Sequence, residues 1–328
     1  MNKLGKVICI PFAYKKDMNS GVNISSSGSQ RMMVYLKNTS VALVSAKRYN
    51  KDAEVVFATN LSEQEIPEEI RNIFERENIR VITIPYDEFR FPAEYMWSLA
   101  FYKLCVLKHI CNEGFEKLIY LDTDVYIQDN LESIWRETEN KILLYDINHG
   151  LGVEDYKILC SEVKNFVCGG ETKTQPYITH YGGEFFASNH KNAVRFVNCA
   201  EKIFDEMIQK KFQTSKGDEF IISLVAAEMP EYIKNAGAYI YRFWTEAAFR
   251  LISTCYEYNK ILILHLPAEK ERGILRLYSD YIAKGKLPSE KKVWKICRLK
   301  HRSFGDFIVH TGITFLKKLR KSKGEELL

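Results

Sequence analysis

Short apolar strands that alternate with helical segments constrain the fold of this chain more than any other feature. Four candidate strands are rich in Val, Ile and Leu and are apolar on both faces, as buried parallel strands are. They lie at residues 7–11, 54–58, 80–84 and 117–121. Helices are predicted between them at residues 30–48, 63–78 and 97–111. Because strands separated by helices imply right-handed crossovers, we predict an α/β fold with a parallel sheet.

Local signals support two of these helices, whereas the second half of the chain is less regular. Ser62 and Glu65 form a capping box ahead of the second helix, and the third helix has apolar residues at helical spacing. Residues 149–178 contain four glycines and are predicted to be a loop-rich insertion. The remaining predictions are a strand at 184–187, helices at 190–211 and 219–227, and a strand at 261–264.

Two aspartates at the end of the fourth strand are the strongest chemical signal. Residues 117–127 read KLIYLDTDVYI, so the strand delivers Asp122 and Asp124 at its carboxyl end, where open α/β sheets bind ligands. Two carboxylates at i and i+2 can converge on one hard cation, and Mg²⁺ or Mn²⁺ suits both these oxygens and a nucleotide diphosphate. The triplet alone is a weak signal. The apolar strand before it, and the polar turn and helical segment after it, favour a metal site over a solvated turn.

Three segments in a fixed order resemble a known family. They are FYKL at residues 101–104, DTD at 122–124 and NLESIW at 130–135. This order is similar to the GT-A glycosyltransferases, above all the glycogenin-like and lipooligosaccharide galactosyltransferase family, of the family 8 type. The resemblance covers most of residues 6–273 and is specific over 97–135. It implies a GT-A, Rossmann-like α/β fold, in which a mixed sheet has flanking helices, over residues 1–283.

The resemblance also implies a donor site. Lys103 stands where the family has an arginine that faces the nucleotide sugar, and Tyr14 stands where an aromatic ring stacks on the base; for both, surface or packing roles remain open. Gly182 and Gly183 occupy the place of the segment that contacts the donor sugar, although Glu184 departs from the family pattern. This segment is also similar to the blood-group-like GT-A transferases.

Further resemblance implies residues for catalysis and for the metal. Asp218 and Glu219 match an acidic motif that opens a helix beside the donor sugar, although such a pair also suits a helix N-terminus. His265 matches the late histidine that completes the metal site with Asp122 and Asp124. Lys270 would neutralise the leaving diphosphate.

The implied activity is metal-dependent transfer of a sugar from a nucleotide sugar, such as a UDP-sugar, to an acceptor hydroxyl, with retention of configuration. Glu219 or Glu184 would act as nucleophile or would stabilise an oxocarbenium-like transition state. Two alternatives are a sugar-nucleotide synthesising nucleotidyltransferase and a non-catalytic membrane-associated protein. The first needs a Gly-rich loop after the first strand, where this chain has PFAY at residues 11–14.

The charge of the chain is unevenly distributed. Residues 284–328 contain 13 Lys/Arg and four Asp/Glu, whereas the rest carries 34 Lys/Arg and 38 Asp/Glu. A basic, partly apolar tail beside an acidic body predicts attachment to an anionic membrane surface and not to nucleic acid. The start of the sequence does not resemble a cleaved signal peptide, and eight cysteines without a CxxC pair suggest reduced thiols. We therefore predict a cytoplasmic protein, peripheral on the inner face of the membrane, whose acceptor is a cell-surface glycan or glycolipid, as in polysaccharide or lipopolysaccharide synthesis.

Overall fold

The computed structural model describes residues 4–16, 28–95, 97–147, 153–169, 178–245 and 261–299, together with residues 308, 312 and 315. The helices are α1 (Gly28–Tyr49), α2 (Glu68–Arg76), α3 (Tyr102–Glu113), α4 (Glu132–Glu137), α5 (Val153–Cys168), α6 (His190–Gln209), α7 (Asp218–Glu228), α8 (Gly273–Lys284) and α9 (Glu290–Ile296). The strands are β1 (Leu4–Phe12), β2 (Glu54–Thr59), β3 (Arg80–Thr83), β4 (Phe115–Leu121), β5 (Val125–Ile127), β6 (Ile142–Asp146), β7 (Tyr181–Asn189), β8 (Ile233–Asn235), β9 (Ile240–Arg242) and β10 (Ile263–His265).

A seven-stranded mixed sheet forms the centre of the fold, in the order β3-β2-β1-β4-β7-β6-β8. Strands β1 to β4 are parallel, as the alternation of strands and helices predicts, but β7 runs antiparallel to both β4 and β6. A second, three-stranded sheet has the order β5-β10-β9. The predicted α/β class is confirmed, and the sheet is mixed as the family resemblance implies.

Helices cover both faces of the central sheet because side chains alternate along each strand. In β1, Ile8 and Ile10 pack in one core cluster with residues of α1, α2 and α8. Val7 and Cys9 pack in the other cluster with residues of α3, α6 and α7. Strands β1 and β2 are therefore buried on both faces, which explains their apolar sequences. The prediction of burial on both faces is wrong for β3, which is largely exposed because it lies at the edge of the sheet.

Two predicted helices differ from those in the structure. The helix predicted at 63–78 is divided, because Pro67 is the N-cap of α2 and follows a short 3-10 turn at Glu63–Glu65; the carboxylate of Glu65 does accept a hydrogen bond from the Ser62 N–H at 2.8 Å. The helix predicted from residue 97 begins at Tyr102.

The prediction of a loop-rich insertion at 149–178 is wrong for residues 153–168, which form α5. Leu159, Val163 and Phe166 of this helix fall at helical spacing and are buried in the second core cluster. The glycines suggested a loop, but the apolar stripe between them determines the structure. The predicted insertion also includes residues 149–152 and 170–177, which lie outside the described residues.

Packing continues beyond the domain boundary predicted at residue 284. Leu287, Val293, Cys297 and Leu299 belong to the core cluster that contains α1 and α8. Arg298 donates a 2.7 Å hydrogen bond from Nε to the buried carboxylate of Glu269. We therefore propose that the α/β domain extends to Leu299. Most of the predicted basic tail lies outside the described residues.

Among the described residues, the helices are all too short or too polar to span a membrane.

Candidate active site

The two aspartates and the late histidine meet where β4 ends. The chain turns from β4 into β5 through Asp122, Thr123 and Asp124, and β10 pairs antiparallel with β5 so that His265 lies opposite Val125. Potential ligand atoms of Asp122, Asp124 and His265 all lie within 4.8 Å of one another. Residues more than 140 positions apart along the chain thus form one cluster at the carboxyl end of the sheet.

The cluster fits a divalent cation by its chemistry. Two carboxylates and one imidazole offer the oxygen and nitrogen donors that Mn²⁺ accepts, and the carboxylate oxygens would also suit Mg²⁺. Asp124 is buried, whereas the Asp122 side chain is 23% exposed and faces the cavity described below. The site is therefore closed by protein on one side and accessible to a ligand on the other.

Two lysines balance the negative charge of the aspartates. Lys270 Nζ lies 3.0 Å from Asp124 Oδ2, and Lys103 Nζ lies 2.8 Å from Asp122 Oδ1. Burial alone would raise the pKa of Asp124, but the charges of Lys270 and His265 outweigh burial and lower it. Asp124 is therefore an ionised carboxylate inside the protein.

A cavity of about 400 Å³ opens in front of this cluster. Its described lining includes Tyr14, two residues beyond the end of β1, and the turn before α3, with Trp97 and Leu99. The side chain of Asn60 fixes the backbone of Tyr14, since its Oδ1 accepts from the Tyr14 N–H at 2.8 Å and its Nδ2 donates to the Tyr14 carbonyl at 2.9 Å. Residues 97–101 form turns instead of the predicted helix, and Trp97, Leu99 and Ala100 of these turns line the cavity.

An acidic pair at the start of α7 also lines the cavity. Glu219 Oε2 lies 2.9 Å from His180 Nε2, and Glu219 Oε1 lies 3.1 Å from Arg242 Nη2. Asp218 is buried, with Oδ2 at 3.4 Å from Lys103 Nζ. Burial raises the pKa of Asp218 to about 7, with further upward contributions from Asp122 and Glu219 that Lys103 opposes.

The model of the family described as glycosyl transferase family 8 matches residues 30–204, which is just over half of the 328-residue chain. The chain belongs to glycosyl transferase family 8. The matched region contains β4 with both aspartates, α3 with Lys103 and β7 with Glu184. It ends before His265 and the acidic pair of α7, so the family match does not extend to those residues.

Solved glycosyltransferases share the fold of this family 8 enzyme. It is similar to an active-site mutant of LgtC, with 14% identity, a TM-score of 0.54 and coverage of 89% of this chain and 99% of that one. It is also similar to the galactosyltransferase LgtC in complex with donor and acceptor sugar analogues (16% identity, TM-score 0.51, coverage 88% and 99%). A third similar structure is the apo form of mouse xyloside xylosyltransferase 1 (12% identity, TM-score 0.51, coverage 80% and 97%). The sequence matches no curated protein.

Gly182, Gly183 and Glu184 do not lie at the cavity of this glycosyltransferase, although the sequence suggests that their segment contacts the donor sugar. Among the described residues, those that line the cavity do not include Gly182, Gly183 or Glu184. A Cβ atom at Gly182 would lie 1.9 Å from Glu184 Oε2, and one at Gly183 would lie 2.1 Å from Asp218 Oδ2. The two glycines thus make room for carboxylates of the protein itself. The fully buried Glu184 carboxylate is withdrawn behind the wall, so it is not placed as a nucleophile.

Sequence reasoning missed Arg242 and His180, which hold Glu219 from two sides. Arg242 lies at the end of β9 and lines the cavity. His180 directly precedes β7 and is buried. The partner of each is distant along the chain, so the surrounding sequence contains no local signal for these contacts.

The metal affinity of this family 8 enzyme is expected to depend on pH through His265. Burial alone would lower the pKa of His265, but Asp124 and Glu184 raise it to about 9 in the metal-free protein. Below that pH a metal must displace the imidazole proton, so we expect Mn²⁺ affinity to rise by up to about tenfold per pH unit between pH 7 and 9. Isothermal titration in buffers of different ionisation enthalpy measures both the affinity and the released proton.

The matched control is His265→Asn, which should bind Mn²⁺ weakly with little dependence on pH in this range. Equal Mn²⁺ affinity of the wild-type protein at pH 7 and 9, without proton release, would contradict the assignment of His265.

Proposed function

We propose that this enzyme transfers a sugar from a nucleotide sugar, with a UDP-sugar as the first donor to test, to a hydroxyl group in a Mn²⁺- or Mg²⁺-dependent reaction. The observation that carries the proposal is the convergence of Asp122, Asp124 and His265 at the floor of the cavity. When bound there, the metal would supply a Lewis acid that stabilises charge on the departing diphosphate. Membership of a glycosyltransferase family argues against a nucleotidyltransferase and against a non-catalytic protein.

The side chains around the cavity support a binding mode for the donor. Lys270 and Lys103 lie beside the two aspartates, where their ammonium groups can approach a diphosphate that reaches the metal. Tyr14 lies at the carboxyl end of β1, where its ring can stack on the base. Gly182 and Gly183 contribute indirectly, through the space that they leave for Glu184 and Asp218.

Glu219 is the residue that we assign to the anomeric carbon. It lines the cavity, its side chain is 22% exposed, and hydrogen bonds with His180 and Arg242 fix its orientation. Burial would raise the pKa of Glu219, but these two partners lower it, so the carboxylate is charged. A fixed negative charge there would stabilise an oxocarbenium-like transition state or attack from the face opposite the leaving group, which suits retention. Asp218 would support the site through Lys103.

The proposal is tested most directly by incubating the full-length protein with a panel of nucleotide sugars. Release of the free nucleoside diphosphate is measured with Mn²⁺, with Mg²⁺ and with a chelator. We expect hydrolysis of at least one donor that requires the metal. Metal-independent hydrolysis of every donor consumed would contradict the proposed role of the metal.

The basic tail supports a proposal about the acceptor and the location. Residues 300–328 contain seven Lys/Arg and three Asp/Glu, and each basic side chain near an anionic leaflet contributes roughly 1 kcal/mol. The side chains of Ile308 and Phe315, which belong to this tail, are exposed. We propose attachment to the inner face of the membrane, where a lipid-linked or cell-surface glycan would be the acceptor.

Shortening the chain to residues 1–299 should abolish this attachment and preserve the fold. The cut follows Leu299 because residues 287–299 pack on the core, and a cut near residue 288 would destabilise the protein. We expect the full-length protein, and not the shortened one, to sediment with anionic vesicles in a salt-sensitive manner. Equal sedimentation of both forms, or binding that ignores lipid charge, would contradict the proposal.

A further inference from the structure

A fully buried carboxylate joins the metal side of the cavity to the sugar side. The side chain of Glu184, on β7, is 0% exposed. Its Oε1 lies 3.1 Å from His265 Nδ1 and accepts a 2.7 Å hydrogen bond from Arg242 Nε, while its Oε2 accepts a 2.6 Å hydrogen bond from Arg242 Nη2. One carboxylate therefore contacts a proposed metal ligand and an arginine of the cavity wall.

The contact with His265 determines which ring nitrogen faces the cation site. His265 Nε2 points toward Asp124, with 3.2 Å to Oδ2, and Nδ1 points toward Glu184. A histidine that binds a metal usually donates its other N–H to a carboxylate or carbonyl, which fixes the ring and increases the basicity of the ligating nitrogen. Glu184 is in position to accept from Nδ1 and so leave Nε2 for the metal.

Through its contact with Arg242, Glu184 also influences the orientation of Glu219. Glu184 holds the guanidinium by two nearly parallel hydrogen bonds, a geometry that fixes the plane of an arginine. The Nη2 atom of that guanidinium also lies 3.1 Å from Glu219 Oε1. The orientation of the carboxylate proposed to act on the sugar thus depends on Glu184 through one intermediate side chain.

Gly182 leaves space for the Glu184–Arg242 ion pair. A Cβ atom at residue 182 would lie 1.9 Å from Glu184 Oε2 and 2.8 Å from Arg242 Nη2, closer than such atoms approach in proteins. Only glycine leaves room for the carboxylate and the guanidinium together. Gly182 is therefore explained by the Glu184–Arg242 pair.

Stability alone is a poor explanation for such a pair. Removing two charges from water costs several kcal/mol per ion, and apolar residues of similar volume often give equal or greater stability. Each charged group of this pair, however, also contacts a residue assigned to binding or catalysis. The energetic cost and the choice of contacts together favour a functional role.

We propose that Glu184 is a positioning residue that holds His265 ready to bind the metal and, through Arg242, holds Glu219 at the cavity wall. This inference rests on the proposed function, because it requires His265 to be a metal ligand. Glu184 itself does not touch the substrate. The pair would couple the two halves of the site, so that one substitution affects both metal affinity and turnover.

The test is Glu184→Gln, which keeps the size of the side chain and removes its charge, in the full-length protein. Mn²⁺ is titrated alone, without nucleotide, by calorimetry. We expect the Mn²⁺ affinity to fall by about 10- to 100-fold, as for other residues that orient a metal ligand. We also expect kcat to fall while UDP affinity in the presence of a chelator is unchanged.

Two further variants make the result specific. Glu137→Gln, which removes a carboxylate paired with Lys234 at 2.7 Å, should change neither Mn²⁺ affinity nor kcat. His265→Ala is measured in parallel. If His265→Ala weakens Mn²⁺ binding and Glu184→Gln does not, the positioning role is overturned and the metal site stands. If His265→Ala binds Mn²⁺ as the wild type does, the proposed metal site fails, and the inference fails with it.

A double variant tests the proposal if Glu184→Gln does not fold. Glu184→Met combined with Arg242→Met replaces the ion pair by apolar side chains, which buried sites often tolerate. Thermal unfolding without metal confirms the fold. Loss of both Mn²⁺ affinity and kcat supports the proposal, and wild-type Mn²⁺ affinity in the folded double variant overturns it.

Discussion

Asp124→Asn should lower metal-dependent turnover by about 10³-fold, because a metal that stabilises a leaving group supplies several kcal/mol and each 1.36 kcal/mol is a factor of ten in rate. Asn keeps the volume of the side chain and removes the charge that Lys270 and His265 face at 3.0 and 3.2 Å. Donor consumption is measured at increasing Mn²⁺ concentration. The same direction of change is expected for Asp122→Asn.

The control for this prediction is Asp52→Asn, which removes an exposed carboxylate paired with Lys6 at 2.9 Å, far from the cavity lining. It should retain wild-type turnover. Thermal unfolding of both variants separates a loss of chemistry from a loss of fold. Wild-type turnover by Asp124→Asn at every Mn²⁺ concentration would refute the assignment of Asp124.

Glu219→Gln should reduce kcat by about 10²- to 10³-fold, the usual effect of removing one fixed electrostatic contact to a transition state. The amide can still bond with His180 and Arg242, so the wall of the cavity should keep its shape. Because the charge acts on the developing cation and not on the bound donor, KM for the nucleotide sugar should change little. Steady-state kinetics at saturating Mn²⁺ measure both constants.

Glu228→Gln is the matched control, since Glu228 is exposed at the other end of the same helix. It should leave kcat and KM at wild-type values. If Glu219→Gln also keeps the wild-type kcat, Glu219 only stabilises the positive end of the helix dipole. A matching rise in KM with constant kcat would instead indicate a role in donor binding.

The α/β class and the position of the first two carboxylates were predictable because they depend on short segments of sequence. A strand buried on both faces is apolar at every position, and the polar residues that follow it must lie at its end. The KLIYL segment therefore locates Asp122 and Asp124 at the edge of the sheet without knowledge of the other strands. Other local patterns gave the bounds of β2 to within one residue, and of α1 and α6 to within two.

Local sequence patterns gave the wrong structure for two segments. Glycines at residues 169 and 170 suggested a loop, yet the apolar stripe before them packs as α5. Apolar spacing suggested a helix from residue 97, yet residues 97–101 form turns, from which Trp97, Leu99 and Ala100 line the cavity. In both cases the outcome depends on which surface the segment meets in the folded protein.

The sequence by itself determined the fold class and the two aspartates, and the family resemblance added His265 and Glu219 as candidates. Only the tertiary structure separated the partly exposed Glu219 from the buried Glu184, and only it brought Arg242 to both carboxylates. Arg242 is 58 residues from Glu184, and His265 is 81 residues from Glu184. These contacts arise because β9 and β10 lie side by side in the small sheet, close to β7. Which strands become neighbours is decided by the packing of the whole chain, so no stretch of sequence around these residues encodes their contacts.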